Sequence, residues 1–305
     1  MKYDSRKYLL YTILVVMFTV GSLMDLWLKV MLLSESPNLM HYKAMLARRW
    51  WSWTIFFMGQ VVNINLKLHG DKIIAEGNIL LISNHLSRYD YIIYALMNHQ
   101  NFAKSQLAFL SWKHIFPFFT LRKIMPFYRL DENWMFDSAA QLEKELANLI
   151  NPYCLVLFPE VTVATPQTIR QHRELCRACF APEFTHLLYP RHSSFADFVL
   201  GLNKGQALSY VYDATITYTD SKGKILCHPG DLDTLLTKVH TIHVHIVKEE
   251  YRKLPRHRRG IQKWLEHRWV VKDKFIRKAY KQSGSVMDPG KPPAPPKKKE
   301  LPVSG

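Results

Sequence analysis

Residues 78–99 read NILLISNHLSRYDYIIYALMNH, and this stretch decides the class of fold. Asn78 to Ser83 is a short apolar run of strand length. From Asp90 to His99 the apolar residues recur at helical spacing. The seven residues Asn84-His85-Leu86-Ser87-Arg88-Tyr89-Asp90 therefore join a strand to a helix. Open α/β sheets place their active sites at such turns, outside the carboxyl ends of the strands.

The same alternation continues outward. MPFYRL (125–130), CLVLFP (154–159), HLLYP (186–190), SYVYDATITYT (209–219) and HTIHVHIV (240–247) read as further strands. Residues 133–149 and 169–180 read as helices, and a basic, Trp-bearing helix is expected over 261–281. Strands alternating with helices predict an α/β sheet covered by helices. No internal repeat is present. The segment GKPPAPPKKKE breaks every periodic pattern, so 284–305 is expected to be a disordered tail.

At 305 residues the chain suits one sizeable α/β domain with appendages. The net charge of +16 is uneven: Arg252 to Glu300 holds 16 Lys/Arg against four acidic residues, a local net of +12. A nucleic-acid partner is not expected, because no recognised binding motif accompanies the charge. Anionic lipid headgroups fit better, and a plain solvated helix followed by a tail remains the alternative. Four cysteines are too few for a disulfide scaffold. Cys176 and Cys179 have C-x-x-C spacing but lie on a helix with no second pair to complete a zinc site, so no metal and reduced thiols are expected.

Tyr8 to Met24 is 17 residues without a charge, preceded by Lys2, Arg6 and Lys7. That length is near the minimum for a spanning helix, and the flanking charges place the N-terminus in the cytosol. A cleaved signal peptide is the competing reading; the apolar stretch is long for one and no small-x-small site ends it. WWSWTIFFMGQVV (50–62) is too short to span and reads as interfacial or as the return leg of a hairpin. LAFLSWKHIFPFF (107–119) reads either as core or as a surface dipping into the bilayer.

Four places carry side chains fit for chemistry. An Asp accepting from a His Nδ1–H fixes the tautomer and supports the imidazolium formed when Nε2 takes a proton, which suits His85 and Asp90. With 14 histidines, chance supplies such a spacing about once in every two such sequences, and a loop histidine beside an N-capping Asp is the structural alternative. Arg129, ending Phe127-Tyr128-Arg129, offers a forked donor for a phosphate, or a surface ion pair. Glu160, in Phe158-Pro159-Glu160-Val161-Thr162, is expected to stand exposed at a strand end, able to hold a substrate hydroxyl or orient a base, or else to be an ordinary strand-end Glu. Tyr189-Pro190-Arg191 closes another apolar run, with a structural turn as its plain reading.

In order, Asn84-His85-x4-Asp90, Arg129, Phe158-Pro159-Glu160 and Tyr189-Pro190 resemble the four blocks of the glycerolipid acyltransferase superfamily. Tyr189-Pro190-Arg191 with Phe195, and Val211-Tyr212-Asp213-Ala214-Thr215-Ile216, resemble its lysocardiolipin, lysophosphatidylinositol and lysophosphatidate acyltransferase branch. The resemblance spans roughly residues 55 to 280 and implies a central mixed β-sheet covered by helices, like that of glycerol-3-phosphate acyltransferase, with an N-terminal membrane helix or helical hairpin. The chain is expected to divide into membrane-anchoring helices (1–62), the acyltransferase domain (63–248), a basic helical segment (249–283) and the tail (284–305). The resemblance implies His85 and Asp90 as the catalytic pair, with Asn84, Arg129, Glu160, Val161, Thr162 and Pro190 at the substrate site. No cofactor is implied; acyl-CoA is the co-substrate and a lysophospholipid the acceptor. The family's commonest address, the endoplasmic reticulum, is expected ahead of a mitochondrial membrane.

Two features depart from the pattern. Val161 and Val163 stand where the third block has Gly and often Arg or Asp, and a β-branched residue resists the positive φ that Gly permits. Ile124-Met125-Pro126 replaces the Gly-rich start of the second block. A CoA-independent transacylase of the same fold and a non-catalytic lipid-binding relative are the alternatives.

Overall fold

A computed structural model describes residues 2–33, 49, 52–53, 56–74, 77–101, 106–111, 127–129, 152–202, 208–227, 229 and 232–283. The expected helix over 133–149 and the tail over 284–305 lie outside these residues, as do 112–119. Among the described residues eight strands form one mixed sheet: β1 (Asn65–Gly70), β2 (Asn78–Ser83), β3 (Gln106–Ser111), β4 (Phe127–Arg129), β5 (Tyr153–Leu157), β6 (Leu208–Thr219), β7 (Ile225–Leu226) and β8 (Thr241–Glu250). Their order is β1-β8-β6-β2-β5-β3-β4, with β7 beside β6. β2 lies parallel to both β5 and β6, whereas β6 and β8 are antiparallel. The expected mixed sheet under helices is what the chain forms.

The central strands are apolar without a break because both of their faces are covered. Ile79, Leu80, Leu81 and Ile82 are all fully buried. Ile79 and Leu81 face one side, where they share a core with Tyr91 and Tyr94 of α2 (Asp90–Asn101), Leu235 of α5 (Leu232–Thr237) and Leu10 of α1 (Lys2–Leu33). Leu80 and Ile82 face the other, against Phe195 and Val199 of α4 (His192–Leu202) and Leu265 and Trp269 of α6 (Arg258–Gln282). The remaining helix, α3 (Pro166–Ala178), starts at a capping box in which Thr165 and Thr168 satisfy one another's backbone N–H groups.

The N-terminal helix is longer than its charge-free core. Tyr8–Met31 is long and apolar enough to cross a membrane, by length and composition. One stripe, including Leu10, Leu14, Met17 and Met24, packs on the sheet domain, while Leu9, Val16, Phe18 and Leu26 are exposed. Within 50–62, Phe57–Val61 makes a π-helical turn, and Phe57 and Val62 are buried in the first core. The end of that segment is therefore core rather than interface. Residues 107–111, left open between core and bilayer by their composition, are strand β3 with Ala108 and Phe109 fully buried.

One expected strand is absent. Residues 186–190 are irregular, because the Thr185 and His186 N–H groups donate to Asp273 Oδ1 of α6 at 3.0 and 2.8 Å instead of to a neighbouring strand. Helix α4 follows, beyond the expected elements, with Phe195, Phe198, Val199 and Leu202 at helical spacing. The basic helix is present, but it is not merely a charged surface. Ile261, Leu265, Trp269, Ile276 and Tyr280 form a buried stripe along it, and Lys272 and Asp273 are buried beside them.

Candidate active site

The turn between β2 and α2 brings His85 and Asp90 together. His85 Nδ1 lies 2.9 Å from Asp90 Oδ2, and both residues are buried. A carboxylate only accepts here, so Nδ1 carries the proton and Nε2 is left with its lone pair. The same Oδ2 accepts the N–H groups of Leu86 at 2.7 Å and Ser87 at 3.0 Å. Asp90 thus orients the imidazole and also holds the loop before α2 through the Leu86 and Ser87 amides, which precede the helix, so it is not an N-cap of α2. Phe158 of the third block packs on the His85 ring at 4.4 Å, and Tyr91 meets it edge-on at 5.7 Å.

Asp90 Oδ1 is occupied by a residue that motif spacing does not reveal. The Tyr218 hydroxyl, on β6, donates to it. Burial, with the Asp90 charge beside it, holds the Tyr218 phenol well above its ordinary range, so it stays a donor. Only its alternation with Tyr212, Ala214 and Ile216 on the α2 face of β6 marked it as buried.

Asn84 is tied into the sheet. Its Nδ2 donates to the Ile216 carbonyl at 3.1 Å, and its Oδ1 accepts the Ile216 N–H at 2.8 Å. Fully buried, it locks the β2–α2 turn onto β6.

Glu160 corrects an expectation more sharply. Instead of an exposed strand-end carboxylate, it is 1% exposed. Its Oε1 accepts from Trp269 Nε1–H at 2.9 Å, and its Oε2 faces the His85 backbone N–H at 3.4 Å. Burial pushes its carboxyl up to about 8, against the opposing pull of the Trp269 bond, the Lys272 charge and the His85 and Leu188 N–H groups. The chain just after the third block also holds the His85 backbone: Ala164 N–H donates to the His85 carbonyl at 2.8 Å.

The turn itself runs through Val161, whose N–H bonds to the Phe158 carbonyl at 3.0 Å, and Thr162, whose N–H bonds to the Glu160 carbonyl at 2.7 Å. Val161 has φ +66°, the left-handed conformation that a β-branched side chain resists. The backbone here keeps the shape a glycine would take, and Val161 adopts it under strain. Pro190 is buried, and the Arg191 N–H after it donates to the Pro159 carbonyl at 2.8 Å, stitching the fourth block to the third. Arg129 is placed by its backbone at the end of β4, paired in register with Ser111 of β3. β3 in turn pairs with β5, the strand that leads into Glu160.

Behind Glu160 lies a buried set of charges. Lys272 Nζ stands 2.7 Å from Asp213 Oδ1, donates to the Ala214 carbonyl at 2.6 Å, and sits 4.5 Å from the Trp269 ring centroid. Arg268 holds Asp213 Oδ2 at 2.7 Å. Burial pulls the Lys272 ammonium down from its ordinary range, against the Asp213 charge. Among the described residues no group of three or more His, Cys, Asp or Glu is placed to hold a metal ion.

Comparison with known proteins identifies the family. The model of a family described as Acyltransferase matches residues 65–201, and that of Acyltransferase C-terminus matches residues 233–304. The chain is similar to lysocardiolipin acyltransferase 1 of Gallus gallus, 23% identical over 83% of this chain and 68% of that one. It is similar to lysophosphatidylinositol acyltransferase 10 of Caenorhabditis elegans, 26% identical over 50% of this chain and 37% of that one. It is also similar to a probable 1-acyl-sn-glycerol-3-phosphate acyltransferase 5 of Arabidopsis thaliana, 25% identical over 74% of this chain and 60% of that one. Among solved structures, it is similar to the 1-acyl-sn-glycerophosphate acyltransferase PlsC of Thermotoga maritima, with TM-score 0.44 and 13% identity over 85% of this chain and 98% of that one.

Proposed function

We propose, since this chain belongs to the glycerolipid acyltransferase superfamily, in the branch of lysocardiolipin, lysophosphatidylinositol and lysophosphatidate acyltransferases, that it transfers a fatty acyl group from acyl-CoA to the free hydroxyl of a lysophospholipid. The observation that carries this reading is the His85–Asp90 pair, with Nδ1 committed to the carboxylate and Nε2 left to act as base.

Nε2 of His85 takes the proton of the acceptor hydroxyl as its oxygen attacks the thioester carbonyl carbon. The resulting imidazolium is stabilised by Asp90, whose other oxygen is held by Tyr218. The carbon–sulfur bond of the tetrahedral intermediate then breaks, and the imidazolium returns the proton to the leaving CoA thiolate. The products are the diacyl phospholipid and free CoA, with no acyl-enzyme and no metal required. Backbone N–H groups at the motif turns are the natural donors for the oxyanion. Arg129 binds the acceptor phosphate, and the strained turn at Val161 and Thr162 borders the acceptor.

The exposed apolar side of α1, with Leu9, Val16, Phe18 and Leu26, suits lipid better than water, so the reaction is assigned to a membrane surface, with the endoplasmic reticulum as the proposed address. The basic outer residues of α6, including Lys263, Lys274 and Lys278, favour anionic headgroups nearby.

The test is to incubate membranes carrying the protein with labelled acyl-CoA and a panel of lysophospholipids, beside His85→Ala and Arg129→Ala variants. Acyl transfer by the wild type that vanishes in His85→Ala supports the mechanism. Equal activity in both rejects it, and transfer without acyl-CoA points to a transacylase. Arg129→Ala is expected to raise KM for the acceptor and leave KM for acyl-CoA unchanged.

A further inference from the structure

We propose that Trp269 and Lys272, on the C-terminal helix α6, are positioning residues for the acyl transfer, acting on His85 through the buried carboxylate of Glu160. This assignment rests on the reaction proposed above.

The contacts form an unbroken path. Trp269, fully buried, donates its indole N–H to Glu160 Oε1 at 2.9 Å. The other oxygen of Glu160 faces the His85 N–H at 3.4 Å. The His85 carbonyl is held by the Ala164 N–H at 2.8 Å, so Glu160 and the chain just after the third block hold the His85 backbone at both its N–H and its carbonyl. A base must reach its proton within hydrogen-bonding distance, and a shift of about 1 Å in such a group lowers rate steeply. The path begins on an element 109 residues away from Glu160 in sequence.

Electrostatics explains why Lys272 belongs to this path. Among the described residues the polar partners of Glu160 are donors, namely Trp269 Nε1–H and the N–H groups of His85 and Leu188. That arrangement fits a carboxylate, whereas a carboxylic acid would have to donate and would find no acceptor among them. Burial opposes ionisation, and the Lys272 ammonium on α6 favours it. The charged groups gathered here are Glu160, Lys272 and Arg268, with Asp213 on β6. With all four ionised the net charge is zero, which lowers the cost of burying them. Lys272 is held in place by Asp213 and by the Trp269 ring, so α6 delivers the donor and the counter-charge from one surface.

The experiment compares the full-length wild type with Trp269→Phe, Lys272→Met, Glu160→Gln and His85→Ala, measuring kcat and KM from pH 6 to 9.5. Activity of the wild type is expected to rise through about 8 as Glu160 ionises. Trp269→Phe is expected to lower kcat about tenfold, the loss of one charge-assisted hydrogen bond, with KM unchanged. Both Trp269→Phe and Lys272→Met are expected to move the rise to higher pH, and Glu160→Gln to abolish it. A helix that merely supported the fold would lower the yield of folded protein and leave kcat per folded molecule and the pH profile in place; that result overturns the proposal. If Trp269→Phe does not fold, Lys272→Met decides on the pH profile alone.

Hydrogen exchange of the segment containing His85 gives a readout independent of turnover. Faster exchange there in Trp269→Phe or Lys272→Met supports the path, and unchanged exchange in both overturns it. Activity surviving His85→Ala would sink the reaction proposed above, and the exchange measurement would then judge the positioning by itself.

Discussion

The Tyr218 hydroxyl donates to one oxygen of Asp90 while the other oxygen of the same carboxylate holds the imidazole of His85. The imidazole is therefore oriented by a carboxylate that is itself oriented, with both supporting residues buried and on different elements. Tyr218→Phe keeps the ring in its place between the sheet and α2 and removes only this donor. We expect kcat to fall about five- to tenfold, in line with the loss of one hydrogen bond to a charged group, with KM for both substrates unchanged. Steady-state kinetics checks this; a variant as fast as the wild type would show that the Leu86 and Ser87 N–H groups hold Asp90 well enough alone.

Asn84 makes both of its bonds to Ile216, 132 residues away, and is fully buried. Asn84→Ala leaves the Ile216 N–H and carbonyl without these partners, at a cost of roughly 2–3 kcal/mol of stability. The expected signature is a lower denaturation midpoint with acceptor KM unchanged. A raised acceptor KM in a fully folded variant would instead give Asn84 a place in the substrate site.

Glu160 gives stability a pH dependence whose sign is opposite to that of an ordinary paired carboxylate. Its folded pKa, about 8, lies above the ordinary carboxylate value of 4.5, so the folded state keeps a proton that the unfolded state has released. Its contribution is fully present below the ordinary value and is lost as pH rises toward 8, by up to about 1.4 kcal/mol per pH unit. Denaturation midpoints between pH 5 and 9 should fall more steeply for the wild type than for Glu160→Gln. Parallel curves would rule this out.

Val161→Gly relieves a left-handed β-branched residue, worth about 1–2 kcal/mol, and gives back part of that through the flexibility of glycine in the unfolded chain and the lost Val161 contact with the second core. The expected net change in stability is under about 1 kcal/mol. The acceptor profile is expected to change, because the side chain that fills this turn is gone. An unchanged profile across a panel of lysophospholipids would show that the turn accepts Val without consequence.

How much of this was legible beforehand depends on the range of the interaction. The His85–Asp90 pair spans five residues, and its turn could be read because a strand of period two meets a helix of period 3.6. The strand expected over 186–190 does not form, although its apolar pattern matches one, because the His186 amide at its start and the Thr185 amide just before it are drawn to Asp273, 87 and 88 residues further on. Glu160 was misplaced for a related reason: a Glu after an apolar strand looks exposed until Trp269 arrives from another element to bury it.

Local spacing in the chain by itself determined much of the alternation of strands and helices, the apolar N-terminal helix and the proximity of His85 to Asp90, since each depends on neighbours within a few residues. Tertiary structure alone decided what supports that pair. Tyr218 behind Asp90, Ile216 against Asn84, and Trp269 with Lys272 behind Glu160 are contacts made only once sheet register and helix packing bring distant segments together. Burial then sets their strength, because a donor or charge that is weak in water becomes costly to leave unpaired in a packed interior.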